Sequence, residues 1–326
     1  MRNTRSPCRL TWESSLDKRY ADRVALLVAI LPLLDTEPRF ALKGGTAINL
    51  FEHDLPRLSV DIDLTWLPMQ DFDTDTAQIA ESLATLAARL SAPPLRLRVR
   101  ESGAADARTI NRLIASRGRT QVQIETTPVM RGAVHPVRRM DLRPSVERDF
   151  GSAQVQVLDF ADLYGGKMAA ALSRQHPRDL FDIGLLLDED RLDTALWRTF
   201  LVYLTASIKP AAEMLAPSAP RDFAAVFESQ FYGMTQEPVS VEWLLEARQR
   251  LLARIRDLLD EPTHAFLLSV EREAPDFDLI GLPHAANMPG VRRKLQNLAQ
   301  RSSAKRAADY RQLVETLDHI KSEGIA

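Results

Sequence analysis

The spacing of apolar residues divides the chain into two unlike parts. Leu16 to Leu34 repeats apolar positions every three or four residues, which predicts an amphipathic helix stopped near Pro38. Phe40-Ala41-Leu42 predicts a short strand running into Lys43-Gly44-Gly45, and Thr46 to Glu52 has the spacing of a short helix. Leu58 to Leu67 alternates strictly. Val60, Ile62, Leu64 and Trp66 leave one side of a strand; Ser59, Asp61, Asp63 and Thr65 leave the other. A helix from about Thr76 to Leu90 follows and ends before Pro93-Pro94. Leu95–Val99, Gln121–Thr126 and Gln154–Leu158 complete the expected strands.

After Leu158 the period becomes helical. Asp159 can cap a helix running to about Arg174, and Pro177 can open another near Arg178. Thr194–Ser207, Arg221–Phe231, Val241–Leu259, Val291–Arg301 and Ala304–Lys321 have the same spacing. The expected fold class is α+β, with residues 1–158 an α/β domain and residues 159–326 a helical domain.

Composition adds exclusions. The apolar fraction of 45% suits a globular protein and argues against wholesale disorder. The longest apolar run, Val24 to Leu34, contains Pro32 and falls short of the roughly 20 residues a membrane helix needs. Met1-Arg2-Asn3-Thr4-Arg5 leads into no apolar segment, so no secretion signal is expected. Cys8 is alone, which excludes an intramolecular disulfide and a cysteine-rich zinc site; a cytoplasmic location is the expectation. The net charge of −2 does not by itself mark a nucleic-acid binder, but its distribution is uneven. Arg89 to Arg148 holds 13 Arg and no Lys against 5 acidic residues, and Val291 to Ala308 holds 6 basic residues and no acidic one. Such segments can cover phosphates or be ordinary solvated faces.

The candidate chemistry lies on the alternating strand. Asp61 and Asp63 leave the same face with Cα atoms about 7 Å apart. That suits two carboxylates sharing divalent cations about 3.5–4 Å apart. Mg²⁺ (or Mn²⁺) needs few protein carboxylates when a substrate phosphate supplies the other oxygens. Asp-x-Asp alone also describes an exposed strand face. Upstream, Lys43-Gly44-Gly45-Thr46 lies at a strand-to-helix junction, where glycines let a backbone approach phosphate and the Thr46 hydroxyl can donate to it. Gly-Gly alone also describes a tight turn. In the second half, Lys167 and Arg174 share a helix face, and Arg178 and Asp182 are spaced to pair at i, i+4. A hairpin of helices with surface ion pairs has the same pattern.

Gly44-Gly45 followed by Asp61-Ile62-Asp63 on the next strand resembles the DNA polymerase β-like nucleotidyltransferase superfamily. Four blocks in order carry the resemblance further: Lys43-Gly44-Gly45-Thr46-Ala47; Arg57-Leu58-Ser59-Val60-Asp61-Ile62-Asp63-Leu64; Lys167 in an Ala-rich helix; and Arg178-Asp179-Leu180-Phe181-Asp182. Together they are similar to the AbiE-type toxin nucleotidyltransferases (AbiEii/AbiGii-like, MenT-like), over about residues 40 to 187.

The resemblance implies a polymerase β-like core, a small mixed sheet with helices, followed by a mostly helical half that contributes Lys167 and Asp182. It implies that Asp61 and Asp63 hold metal, with Glu125 the candidate third carboxylate. Lys167 would contact nucleotide phosphates, with Lys43, Gly44, Gly45, Thr46, Ser59 and Arg178 completing the nucleotide site. Asp182 would be a base or an orienting group, with Asp179 the alternative. Ser59 stands where some members carry a hydroxyl that an antitoxin kinase modifies.

The implied reaction is transfer of NMP from an NTP to an RNA 3′ end, typically of tRNA, blocking translation in a toxin–antitoxin or abortive-infection system. The antitoxin would be a separate protein encoded nearby. Transfer to a protein or small molecule, and a non-catalytic nucleotide-binding module, remain open.

Overall fold

The computed structural model describes residues 15–103 and 110–322; Cys8 and the amino-terminal pentapeptide lie outside them. Helix α1 (Ser15–Leu34) leads into strand β1 (Phe40–Lys43), then α2 (Gly44–Ala47), which continues as a π-helical turn over Ile48–Glu52. Then come β2 (Asp61–Trp66), α3 (Phe72–Ser91), β3 (Arg98–Gly103), β4 (Ile110–Arg117), β5 (Thr120–Thr126), β6 (Arg138–Asp141), α4 (Pro144–Phe150) and β7 (Gln154–Val157). Helices follow: α5 (Phe160–Arg174), α6 (Pro177–Asp188), α7 (Thr194–Thr205), α8 (Ala211–Leu215) and α9 (Phe223–Gln230). The series ends with α10 (Val241–Leu258), α11 (Glu261–Glu271), α12 (Pro289–Ala299) and α13 (Ser303–Ser322). This is the mixed α/β architecture expected, and no described helix is long and apolar enough to cross a membrane.

Seven strands form one mixed sheet in the order β3-β4-β5-β2-β1-β7-β6. β2 runs parallel to β5 and β1 parallel to β7; the other pairs are antiparallel. The alternation in β2 is realised: Ile62, Leu64 and Trp66 are buried, as are Leu113, Ala115, Val122 and Ile124 of β4 and β5. α1 and α3 cover this apolar side. Trp66 donates from Nε1 to Asp75 on α3, 3.0 Å away, which satisfies its polar atom in the core.

The sequence expectations differ from the structure at several ends. α3 begins four residues early because Asp71 caps it, its side chain accepting from Thr74 N at 2.9 Å. The strand expected at Leu95–Val99 forms at Arg98–Gly103, and β4, β6, α4, α8 and α11 had no counterpart in the pattern. The Asp159 cap holds: its side chain accepts from Ala161 N at 2.9 Å. In α6, Pro177 takes the first turn and His176 the cap.

The helical part is tied to the sheet near the Gly-Gly turn. α2 packs against α5, and the segment around Arg57 pairs with Thr235, with Leu58 N donating to the Met234 carbonyl at 2.8 Å.

Candidate active site

Strand register assembles a charged row. Lys43 of β1 stands opposite Asp63 of β2, Asp63 beside Glu125 of β5, and Glu125 opposite Arg112 of β4. Asp61 lies beside Gln123 in the neighbouring row. Directly paired residues share a face, so Lys43, Asp61, Asp63 and Glu125 all leave the polar side, away from α1 and α3. Asp61 and Asp63 are both partly exposed there.

Burial raises both carboxyls above their ordinary values. Arg178 and Arg23 oppose the shift at Asp61; at Asp63, Lys43 opposes it while Glu125 and Asp61 add to it. Three acidic groups thus crowd two adjacent rows of partly desolvated sheet, a charge imbalance that a divalent cation relieves. Desolvation also pushes the Lys43 ammonium below its usual value, with Asp63 and Glu125 pulling it back.

The donor set fits a sparse metal site built on Asp61 and Asp63. Glu125, the candidate third carboxylate, stands beside Asp63 in the sheet. Its Oε2 accepts from Gln123 at 2.8 Å and from Arg112 Nε at 3.0 Å, and no cluster of three or more His, Cys, Asp or Glu is assembled around a metal position among the described residues. The Glu125 carboxylate thus stands beside Asp63 on one side and pairs with Arg112 on the other.

The Gly-Gly turn is locked against this strand. Gly44 has φ +72°, and a Cβ there would lie 2.5 Å from Asp63 Oδ2. Only glycine combines that backbone conformation with so close an approach. A Cβ on Gly45 would lie 2.7 Å from the Arg57 guanidinium and 3.0 Å from Ser59 Oγ. Thr46 is fully buried. Its hydroxyl donates to the Asp61 carbonyl at 2.5 Å and sits 3.0 Å from Ser59 Oγ. The structure therefore places Thr46 and Ser59 as clasps between the turn and β2, where the sequence suggested a phosphate donor in Thr46.

The second block is a buried ion network. Asp182 of α6 is 0% exposed. It receives Arg57 Nε and Nη2 on its two oxygens, each at 2.6 Å, Lys167 Nζ on Oδ2 at 2.9 Å and Asn49 Nδ2 on Oδ1 at 3.3 Å. Lys167 also holds Asp179 at 2.9 Å, and Arg174 reaches the same Asp179 at 2.5 Å. Burial opposes ionisation of Asp182, but Arg57 and Lys167 outweigh it and hold the carboxyl below its ordinary value. The same balance, with Lys167 and Arg174, holds Asp179 down. Asp182 and Asp179 keep Lys167 above the ordinary lysine value against its burial.

These placements revise two expectations. Arg178 does not pair with Asp182, which turns inward to Arg57 and Lys167; the Arg178 charge acts on Asp61. The ion pairs of the α5–α6 hairpin lie inside the protein, not on its surface. Arg57 was part of the recognised motif yet had no role assigned, because its partner lies 125 positions away. Asn49 completes the link, donating to both the Gly45 carbonyl, at 2.9 Å, and Asp182.

Fold and site together define a class: a mixed sheet presenting two carboxylates beside a glycine turn, faced by cations from a following helical pair. The family model for the nucleotidyl transferase AbiEii toxin of type IV toxin–antitoxin systems matches residues 25–297. The chain belongs to this family and is a nucleotidyltransferase. Among solved structures it is similar to MenT4, a nucleotidyltransferase toxin from Mycobacterium tuberculosis H37Rv, with a TM-score of 0.56 at 16% identity, covering 91% of this chain and 100% of that one. That likeness supports the shared fold. No curated protein matches the sequence significantly.

Proposed function

We propose that this toxin transfers NMP from an NTP to the 3′ end of an RNA, tRNA by family likeness, and so halts translation, with Mg²⁺ or Mn²⁺ on Asp61 and Asp63. The observation that supports it most is the Lys43–Asp63–Glu125 row on an open sheet face, with Asp61 in the adjacent row. In the reaction the RNA 3′-hydroxyl gives up its proton to solvent, its oxygen bonds to the α-phosphorus, the bond from that phosphorus to the bridging oxygen breaks, and pyrophosphate leaves with the bonding electrons. Bound divalent ions would acidify the attacking hydroxyl and neutralise the leaving phosphates.

The chain's own residues divide the remaining work. Asp61 and Asp63 would hold the cations through their carboxylates. Lys43 and Arg178 flank them with positive charge for the triphosphate. Arg57, Lys167 and Arg174 against Asp179 and Asp182 leave one net positive charge, and both Lys167 and Arg174 act electrostatically on Asp63. Asp182 orients: its oxygens already accept four donors, about all that a carboxylate holds, so it has no free lone pair to serve as a base. It keeps Lys167 and, through Asn49, the Gly45 carbonyl in place. The 1–158 part supplies the metal-facing carboxylates with Lys43 and Arg57, and the 159–326 part supplies Lys167, Arg174 and Arg178. A cognate antitoxin encoded nearby would restrain the enzyme, and phosphate on Ser59 would set negative charge beside the carboxylates.

The test is incubation of the purified protein with total RNA and each of the four labelled NTPs. Label that ribonuclease removes, and that Asp61→Ala fails to incorporate, supports the proposal. Label that survives ribonuclease points to a protein or small-molecule acceptor, and no incorporation with either metal points to a binding module.

A further inference from the structure

The polar face that carries Asp61 and Asp63 does not end at them. It continues outward across β5, β4 and β3. The Asp61–Gln123 row extends to Ile114 and Arg100, the Asp63–Glu125 row to Arg112 and Ser102, and a third row joins Gln121, Ser116 and Arg98. Arg98, Arg100 and Gln121 are exposed, whereas the alternate positions Leu113, Ala115, Val122 and Ile124 are buried on the other side. Over the described parts of this wing, residues 96–103 and 110–126, six arginines (Arg96, Arg98, Arg100, Arg112, Arg117 and Arg119) stand against Glu101 and Glu125. That is a net +4 in a chain whose total is −2. Arg112 is paired with Glu125, while Arg98 and Arg100 form no ion pair among the described residues.

We infer that this open wing is the surface along which the acceptor RNA runs, as a single strand with its phosphates on Arg98 and Arg100 and its 3′ end at Asp61 and Asp63. The inference rests on the RNA-acceptor reading above. Three observations carry it. The wing is continuous with the carboxylate rows, so a strand lying on it delivers its end to them. Arg100 lies three strand spacings from Asp61, about 14 Å, the span of a few nucleotides. Arg98 and Arg100 are two residues apart on one strand, about 7 Å, close to the interval between phosphates of an extended strand. Among the described residues the face carries no aromatic side chain for base stacking; Ile114, Gln121, Gln123, Ser102 and Ser116 lie between the arginines. The wing therefore holds phosphates and leaves choice of base to other parts of the protein.

The test uses the full chain and a 3′-hydroxyl single-stranded RNA oligonucleotide, with affinity measured across a salt series. Arg98→Ala/Arg100→Ala removes two phosphate contacts. The slope of log K against log salt should fall by about 1.4, and affinity at 0.1 M salt by about 25-fold, from counterion release at 0.7 per single-strand phosphate. The KM for RNA rises and the KM for NTP does not. Both side chains are exposed, so the melting temperature should stay within about 1 °C of wild type, as is usual for surface substitutions. Arg292→Ala/Arg293→Ala, on the exposed face of α12, is the comparison and leaves binding unchanged.

Unchanged affinity and slope in the wing variant overturn the inference and reassign these charges to an acidic protein partner. An equal loss in the α12 variant also overturns it. If the wing variant still transfers to RNA with wild-type KM, the surface is wrong and the function stands. If wild type binds RNA through the wing yet transfers nothing to it, the function is wrong and the surface stands. If wild type does not bind RNA, both fail.

Discussion

Replacing Asp182 by Asn separates an orienting role from a chemical one. The change keeps shape and removes the charge that Arg57 grips through two bonds of 2.6 Å, leaving a guanidinium that is 3% exposed without its carboxylate. Stripping one partner from a buried pair costs about 3–5 kcal/mol. Asn keeps one acceptor oxygen for Arg57 and Lys167 retains Asp179, so the lower end, about 3 kcal/mol, is expected. Against a total stability of about 5–15 kcal/mol this is large, and in a chain of 326 residues it should lower the melting temperature by about 5 °C. Thermal and urea melts of Asp182→Asn, Arg57→Met and the Asp182→Leu/Arg57→Met double variant measure it. The double variant should recover most of the loss, because removing both partners leaves no unpaired buried charge. Transfer assayed well below the melting range should show a raised KM for NTP as the Gly45 carbonyl and Lys167 lose their common anchor. An Asp182→Asn protein that melts like wild type while losing turnover at unchanged KM would refute the orienting role, since that pattern belongs to a group acting on the reacting atoms.

The carboxylate row gives the opposite sign. Folding raises the carboxyls of Asp61 and Asp63, so their ionised forms oppose folding at neutral pH; Asp63→Asn should raise the melting temperature of the metal-free protein while abolishing transfer, checked by parallel melts and assays. Lowering pH should relieve that penalty, whereas the stabilisation from Asp179 and Asp182, both held low, persists above the unfolded carboxyl value and is lost only as pH falls through their folded values. A pH series on wild type and Asp63→Asn should show the variant's advantage shrinking toward acid. Gly44→Ala places a methyl 2.5 Å from Asp63 Oδ2 at φ +72°, and should lower turnover about 100-fold by displacing that carboxylate, with a stability loss of about 1–3 kcal/mol; wild-type kinetics would contradict it. Mg²⁺ should raise the melting temperature of wild type at neutral pH and not that of Asp61→Ala/Asp63→Ala, read by thermal melts with and without the ion.

The parts of the fold legible in the sequence are those whose cause is local. β2 alternates because one side faces α1 and α3, and the alternation by itself puts Asp61 and Asp63 on one face. The α5 cap and the Pro177 start are equally local. β4 is obscured because Asn111 and Arg112 interrupt an otherwise apolar run, and β6 is a polar edge strand, Arg138-Arg139-Met140-Asp141, with no buried side to betray it. The site was half legible for the same reason. Asp-x-Asp and Gly-Gly announce themselves by spacing. Arg57 takes its meaning from Asp182, and Glu125 from Arg112 across the β4–β5 pairing; neither relation leaves a trace in local pattern. Thr46 misled because its hydroxyl is buried against the Asp61 carbonyl rather than open to a phosphate.

Transfer of the α-phosphate of an NTP onto RNA is the role proposed for Asp61 and Asp63. The most direct measurement supplies the same NTP labelled at either the α- or the γ-phosphate, with RNA and Mg²⁺, and follows label on RNA and in pyrophosphate. The expected outcome is α-label on the RNA 3′ end, γ-label released in pyrophosphate in equal amount, and neither with Asp61→Ala. Transfer of γ-label to the acceptor, or α-label incorporation that survives Asp61→Ala, would rule out nucleotidyl transfer at these two carboxylates.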